Sequence, residues 1–171
     1  MNKLKRITSE YIVAEDRIRI AALTEANKTL ILWFTMRMMR HVITHCLTLL
    51  SKRSPEIRKP SLEDERSHDA IQSLVQRSAQ QELPPEKAVS TNESSPNYLI
   101  EEVDLTHNAK GLIMILKKEG TASSKIFLTN QQLRQWLAMI YTLWQKADWP
   151  MTLWPEWISA TETITNEISI H

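Results

Sequence analysis

Glycine is nearly missing from this chain, since only Gly111 and Gly120 occur among its 171 residues. A glycine-rich loop that cradles phosphate groups, of the G-x-x-x-x-G-K-[ST] or G-x-G-x-x-G kind, is therefore excluded. The sequence also lacks the nucleophile turn G-x-S-x-G and the zinc-binding helix H-E-x-x-H. Without any such motif, we expect no catalytic residue, no cofactor and no enzymatic activity.

Cysteine and long apolar runs are scarce as well. The single cysteine, Cys46, cannot form a disulfide within the chain, so nothing indicates an oxidising compartment. The N-terminus has no apolar core of the signal-peptide type. The most apolar stretch, residues 30–50, carries two arginines and two histidines in its middle, and charges at a bilayer centre are costly. We expect a cytoplasmic protein without a membrane contact.

One pattern is present twice. Residues 30–50 read LILWFTMRMMRHVITHCLTLL, and residues 126–144 read IFLTNQQLRQWLAMIYTLW. Shifting the first copy by 94 positions places Thr35 on Thr129 and Arg40 on Arg134, and apolar positions match nearly throughout. Each copy predicts an apolar strand that runs through a threonine into an amphipathic helix. The match indicates an ancient duplication or a fold that uses one unit twice.

An antiparallel meander is expected in front of each helix, because apolar and polar residues alternate there with the period of a strand. In the first meander, a turn at Glu15-Asp16 is favoured over a bend in one long strand. We therefore predict an α+β fold of two pseudo-repeated β-β-β-α units, residues 1–53 and residues 98–148. Since each meander buries only one face, the two units are expected to share one core.

Residues 54–97 differ in kind and form a polar linker with five prolines. Within it, residues 61–82 predict a helix. Ile71, Leu74 and Val75 recur at helical spacing and give it a narrow apolar stripe. Such a stripe cannot build a core alone, so we expect it to lie on the rest of the protein or on a protein partner.

The tail, residues 149–171, begins with a segment dense in tryptophan and proline, WPMTLWPEW, and residues 161–170 predict a last edge strand. Trp149, Trp154 and Trp157 are too many large apolar groups for an unpacked tail. Either the tail folds back over the second helix, or these rings anchor a protein interface.

Charge is distributed unevenly, because residues 1–53 are basic and the remainder of the chain is mildly acidic. The candidate face for an anionic partner consists of Arg17, Arg19, Arg37, Arg40 and His41. Cations and aromatic rings on a sheet bind single-stranded nucleic acid through phosphate contacts and base stacking. In this chain, however, most aromatic residues lie in the second half and most cations in the first.

Two further constellations have simple structural explanations. His41 and His45 share a helical face at a spacing that can hold zinc, but no carboxylate or cysteine with ligand spacing accompanies them. Glu102 and Asp104 share a strand face, where they could act as an acid and base pair, yet solvated strand positions explain them as well. We expect no metal site.

The sequence therefore favours a non-enzymatic accessory or adaptor protein that binds a protein partner. Its candidate anchors are Ile71, Leu74, Val75, Trp149, Trp154 and Trp157. The alternative is a single-stranded nucleic-acid-binding protein that uses the basic N-terminal half. The composition leaves a homodimer open, as well as an exchange of the two units between two chains.

Overall fold

The computed structural model describes residues 1–52, 61–84 and 86–159, and it confirms the α+β class. The strands are β1 (Asn2–Ile12), β2 (Arg17–Thr24), β3 (Thr29–Thr35), β4 (Asn97–Leu99), β5 (Glu102–Asn108), β6 (Gly111–Lys118) and β7 (Thr121–Thr129). The long helices are α1 (Met36–Leu50), α2 (Leu62–Gln81) and α3 (Asn130–Lys146). Short 3-10 helices cover Val13–Glu15 and Met151–Leu153.

All seven strands belong to one sheet, in the order β4-β3-β2-β1-β7-β6-β5. β1, β2 and β3 form an antiparallel meander that leads into α1, and β5, β6 and β7 form another that leads into α3. The two meanders meet where β1 pairs with β7 in parallel. α1 packs against β2, β3 and β5, while α3 packs against β1, β6 and β7.

The sheet closes on itself at β4 and β5, which end the strand order but are joined by only Ile100 and Glu101. In a flat sheet these strands would lie roughly 29 Å apart at the usual spacing, much farther than two residues reach. The Ile100 N–H donates to the Trp33 carbonyl (2.9 Å), and the Glu101 N–H donates to the Lys117 carbonyl (3.2 Å). The chain thus turns from one meander to the other at this point and completes a barrel.

Two strand boundaries differ from the sequence prediction. Alternation predicts one strand over residues 98–105, but the chain bends at residues 100 and 101 because β4 pairs with β3 and β5 with β6. Alternation also predicts a first strand from Ser9, whereas β1 starts at Asn2, since its first residues pair with β7. The favoured turn after the first strand is confirmed, and Asp16 there has φ 48°.

Side-chain caps define where the helices begin, as the sequence predicts. Thr35 Oγ1 accepts a hydrogen bond from the Met38 N–H (3.2 Å), and Thr129 Oγ1 accepts one from the Gln132 N–H (3.2 Å). Ser61 forms a capping box with Asp64 at the start of α2, so the helix predicted in the linker is present. Each cap satisfies an amide that has no partner within its own helix.

The inner faces of both meanders and the apolar faces of α1 and α3 form one core cluster. Helical spacing in the sequence predicts the inward row of each helix, and every residue of both rows is buried except Leu50. The rows are Met39, Val42, Ile43, Cys46, Leu47 and Leu50 in α1, and Leu133, Trp136, Leu137, Ile140, Tyr141 and Trp144 in α3. Between the sheet and the two helices remains a cavity of only about 10 Å³. A cavity of this size is too small for a small-molecule ligand.

The tail folds back over α3 as far as the structure describes it. The Trp144 ring makes edge-on contacts with Trp149 (centroids 4.8 Å apart) and Trp154 (5.8 Å). Hydrogen bonds from Trp149 and Tyr11 lower the pKa of Asp16. Trp149 and Trp157 are buried and Trp154 is half-buried, so the first two are core residues rather than surface anchors. The edge strand predicted over residues 161–170 lies outside the described residues.

Cys46 tests the packing of α1 directly. Its side chain is completely buried, and burial raises the pKa of the thiol to about 12. Because the thiolate is the reactive form, Cys46 should resist iodoacetamide at neutral pH in the native protein and react once the protein is unfolded. Mass spectrometry after timed labelling, with and without urea, measures this. Fast labelling of the native chain would contradict the described position of α1.

Candidate functional site

Helix α2 is held on α3 by hydrogen bonds between buried groups. Gln76 Nε2 donates to the Arg134 carbonyl oxygen (2.9 Å), and Gln135 Nε2 donates to the Ala79 carbonyl oxygen (2.8 Å). Arg134 Nη2 donates to Gln72 Oε1 (2.6 Å). These side chains are buried at the junction, so each hydrogen bond compensates a group that has lost water.

Arg134 is the centre of this junction. Its guanidinium lies over the Trp157 ring, 5.5 Å from the ring centroid. Burial lowers the pKa of Arg134 from its ordinary value, as expected for a cation that has lost part of its hydration. Gln72 extends the junction, since its Nε2 donates to the Leu50 carbonyl oxygen at the end of α1 (3.0 Å). Helix α2 therefore spans both halves of the fold.

The predicted apolar stripe of α2 faces away from this junction. Ile71, Leu74 and Val75 are 60%, 65% and 43% exposed. An α-helix turns about 100° per residue, so Ile71 and Leu74 lie at least about 100° around α2 from Gln72 and Gln76. Val75 lies about 60° from Gln72, at the border of the junction. No residue of the described chain buries these three side chains. An apolar row held outward on a fixed helix is typical of a protein-binding surface.

Carboxylates lie at both ends of the stripe. Glu63 lies near its first end, and Glu82 follows α2 at its other end, where one carboxylate oxygen accepts a hydrogen bond from Gln131 Nε2. Helical spacing places Arg77 about 60° around the helix from Leu74, so one cation borders the stripe. The stripe thus combines an apolar centre and acidic ends with one bordering arginine.

Of the five residues predicted to form an anionic-partner face, the two on β2 are already paired with carboxylates. Arg19 Nη2 lies 2.5 Å from Glu10 Oε1, and Arg17 Nη1 lies 3.7 Å from Glu15 Oε2. Arg17 pairs in register with Thr35, which places it beside the start of α1. Both arginines therefore add little net charge to the surface.

The other three predicted residues lie on α1, which contains no aspartate or glutamate. The exposed side chains of α1 are Arg37, Arg40, His41, Thr44, His45 and Thr48. Among the described residues, no carboxylate forms an ion pair with Arg37 or Arg40. We call this surface, composed of Arg37, Arg40 and His41 with the exposed residues that follow them on α1, the cationic face of α1.

The acidic pair Glu102 and Asp104 forms ion pairs with a lysine. Lys117 Nζ lies 2.8 Å from Asp104 and 2.7 Å from Glu102. These two hydrogen bonds raise the pKa of Lys117, and the bond to Asp104 has the larger effect. Two carboxylates that share a lysine are an exposed ion-pair network on the sheet. In the described parts of the chain, no histidine, cysteine and carboxylate group is arranged to hold a metal ion. No helix there is long and apolar enough to cross a bilayer.

Sequence reasoning missed the polar junction between α2 and α3. The stripe drew attention to one side of α2, while the side that packs carries Gln72, Gln76 and Ala79. The signal was present as two glutamines at helical spacing, but a search for apolar periodicity passes over them.

A scan against protein-family models finds no match to this chain. Comparisons with curated proteins and with solved structures find no similar protein either.

Proposed function

We propose that this chain is a non-enzymatic adaptor that binds a protein partner through the apolar stripe of α2. The observation that carries the proposal is the exposure of Ile71, Leu74 and Val75 on a helix whose neighbouring side is fixed by buried hydrogen bonds. A helix that is already ordered loses little conformational entropy when it binds. The stripe is therefore preorganised for binding.

The occupant of the stripe is a partner helix with apolar residues at its centre and Lys or Arg at both ends. Its apolar side chains would cover Ile71 and Leu74, and its cations would face Glu63 and Glu82. A second copy of α2 fits less well. In either orientation, two such helices bring acidic ends together, and like charges repel.

We also infer that the two β-β-β-α units derive from one duplicated unit. In support, the two strand-threonine-helix segments match at an offset of 94 residues. Both helices also begin at a threonine cap directly after the third strand of a meander. Residues 1–53 and 98–148 are then the two units, residues 54–97 the linker that supplies α2, and residues 149–171 a tail.

Single-stranded nucleic acid is less well supported as the partner. Binding without base reading relies on cations together with exposed rings for stacking. Here the β2 arginines lie beside carboxylates, and Trp136, Trp144 and Trp149 are buried. Trp33 on β3, beside Arg19, is half-buried on the outer face, and Phe127 on β7, three strands away, is 43% exposed. Binding of a labelled single-stranded oligonucleotide is therefore the alternative that an experiment has to test.

The test uses the full chain and a labelled synthetic amphipathic peptide with leucines at helical spacing and lysines at both ends. Fluorescence anisotropy should show binding that Leu74→Ser weakens by about tenfold, equivalent to roughly 1.4 kcal/mol. A centrally placed exposed leucine is the kind of residue that dominates a small interface.

Met139→Ser is the matched control, because Met139 is also an exposed apolar residue but lies on α3. It should leave the affinity of the peptide within about twofold. The same peptide with glutamates at its ends should bind less tightly. If Leu74→Ser and Met139→Ser have equal effects, the stripe is not the binding surface and the proposal is wrong.

A further inference from the structure

Helix α2 binds one defined place on α3. The residues of α3 that contact it are Gln131, Arg134 and Gln135, the second, fifth and sixth residues after the capping threonine. Gln131 Nε2 donates to a Glu82 carboxylate oxygen (2.5 Å). The docking place on α3 thus presents side-chain donors to a carboxylate, to amide oxygens and to a backbone carbonyl.

The same positions on α1 are uncovered. Counting from Thr35, the second, fifth and sixth residues are Arg37, Arg40 and His41, and all three are exposed. Thr35 and Thr129 cap their helices with the same hydrogen bond to the third helical residue, so equal positions point in equal directions around each helix. Helix α1 therefore presents a helix-docking place on which no described residue lies.

We propose that the cationic face of α1 binds an acidic helix of a partner protein, seated as α2 is seated on α3. The inference goes beyond the stripe of α2, which is a different surface, and neither depends on the other. Arg37 stands where Gln131 contacts the Glu82 carboxylate, so a cation replaces an amide donor at that place. Arg40 stands where Arg134 donates to a glutamine oxygen.

Charge decides the chemistry of the occupant. On α3, two neutral amides help to hold the docked segment, since Gln131 donates to the Glu82 carboxylate and Gln135 donates to the Ala79 carbonyl oxygen. On α1, Arg37 and His41 replace the two amides, and the helix has no acidic side chain to balance its arginines. Glutamate or aspartate in the contacting positions of the partner would form bidentate pairs with the arginines.

A peptide copied from residues 62–82 provides the probe, because it includes Glu82, the counterpart for Arg37. Its Gln72 and Gln76 are replaced by glutamate to meet Arg40. Its Ile71, Leu74 and Val75 are replaced by serine, so that it carries no apolar stripe. Fluorescence anisotropy with the full chain should show binding that Arg37→Glu with Arg40→Glu weakens at least about tenfold. A peptide with lysine in place of the two glutamates should regain affinity for that double variant and bind the unchanged chain poorly.

Two variants separate this inference from its alternatives. Lys110→Glu removes an exposed cation from the β5–β6 turn and should leave peptide binding unchanged. Leu74→Ser should also leave it unchanged, so failure here and failure of the α2 stripe are distinguishable. Absence of peptide binding, or equal loss in Lys110→Glu, would overturn the inference.

Two other outcomes assign the surface differently and also overturn it. If the Arg37→Glu, Arg40→Glu variant loses affinity for a labelled single-stranded oligonucleotide while the acidic peptide does not bind, the occupant is nucleic acid. If the unchanged chain sediments as a dimer and the same variant as a monomer, the occupant is a second copy of the chain.

Discussion

Replacing Gly111 by alanine should destabilise the protein by about 3 to 5 kcal/mol, the range of the most damaging single substitutions. Gly111 has φ +151°, a conformation that residues with a side chain rarely adopt. A Cβ atom at this position would lie 2.1 Å from the Leu128 carbonyl oxygen and 2.9 Å from the Thr129 Cα. Both are backbone atoms of β7, so the strand itself has to move.

The neighbours of Gly111 increase the free-energy cost of this movement. Gly111 is paired with Thr129, whose side chain caps α3, and its N–H donates to Asn108 Oδ1 (3.2 Å) in the β5–β6 turn. A shift of β7 at this point therefore disturbs the start of α3 as well as the turn. Urea unfolding followed by tryptophan fluorescence measures the loss, because five of the six tryptophans belong to α3 and the tail.

Gly120→Ala is the control, because it measures the cost of a positive φ without a steric clash. Gly120 has φ +71°, but no atom lies within 4 Å of the place where its Cβ would be. This variant should lose only about 1 kcal/mol, the cost of placing an alanine in a left-handed conformation. Equal losses in the two variants would show that β6 does not approach β7 as closely as described.

Local chemistry explains what could be predicted from the sequence. A threonine at the end of an apolar strand, followed by residues at helical spacing, requires only neighbouring residues to act. Thr129 with Gln132 and Ser61 with Asp64 satisfy amides within their own first turn. The start of each helix can therefore be predicted from a few neighbouring residues.

The closure of the sheet could not be predicted in the same way. Tyr98 and Val103 belong to a segment that alternates like one strand, and nothing within it indicates that β4 pairs with β3 and β5 with β6. Similarly, the charged residues that begin β1 become a strand through pairing with β7, more than a hundred residues away. Such pairing is decided by the partner strand rather than by local preference.

The candidate surfaces show the same division. Apolar periodicity identified Ile71 and Leu74 as unusual, and the absence of acid from α1 is visible in the sequence. What required the structure was the side of α2 that packs. Gln76 is completely buried, although glutamines are mostly exposed in proteins, so its burial is not predicted from the sequence. Its hydrogen bond to the Arg134 carbonyl oxygen permits this burial.

Replacing Arg134 by alanine should cost about 3 kcal/mol of folding free energy and loosen α2 from α3. The substitution leaves the amide oxygen of Gln72 without its buried donor, weakens the contact at Gln76, and uncovers the Trp157 ring. Each buried acceptor left without a partner costs about 1 to 3 kcal/mol, and lost packing of the arginine stem adds to it. Urea unfolding measures the total. Hydrogen exchange of residues 62–81 should rise more than that of the strands.

Arg40→Ala is the matched control, since Arg40 holds the corresponding position of α1 but is exposed and carries no docked helix. Its loss of stability should stay within about 0.5 kcal/mol, as for other surface substitutions. Equal losses in Arg134→Ala and Arg40→Ala would mean that the two helices are packed alike, which removes the uncovered docking place from α1. A large difference assigns the same helical position a structural role in α3 and leaves its counterpart in α1 available for a partner.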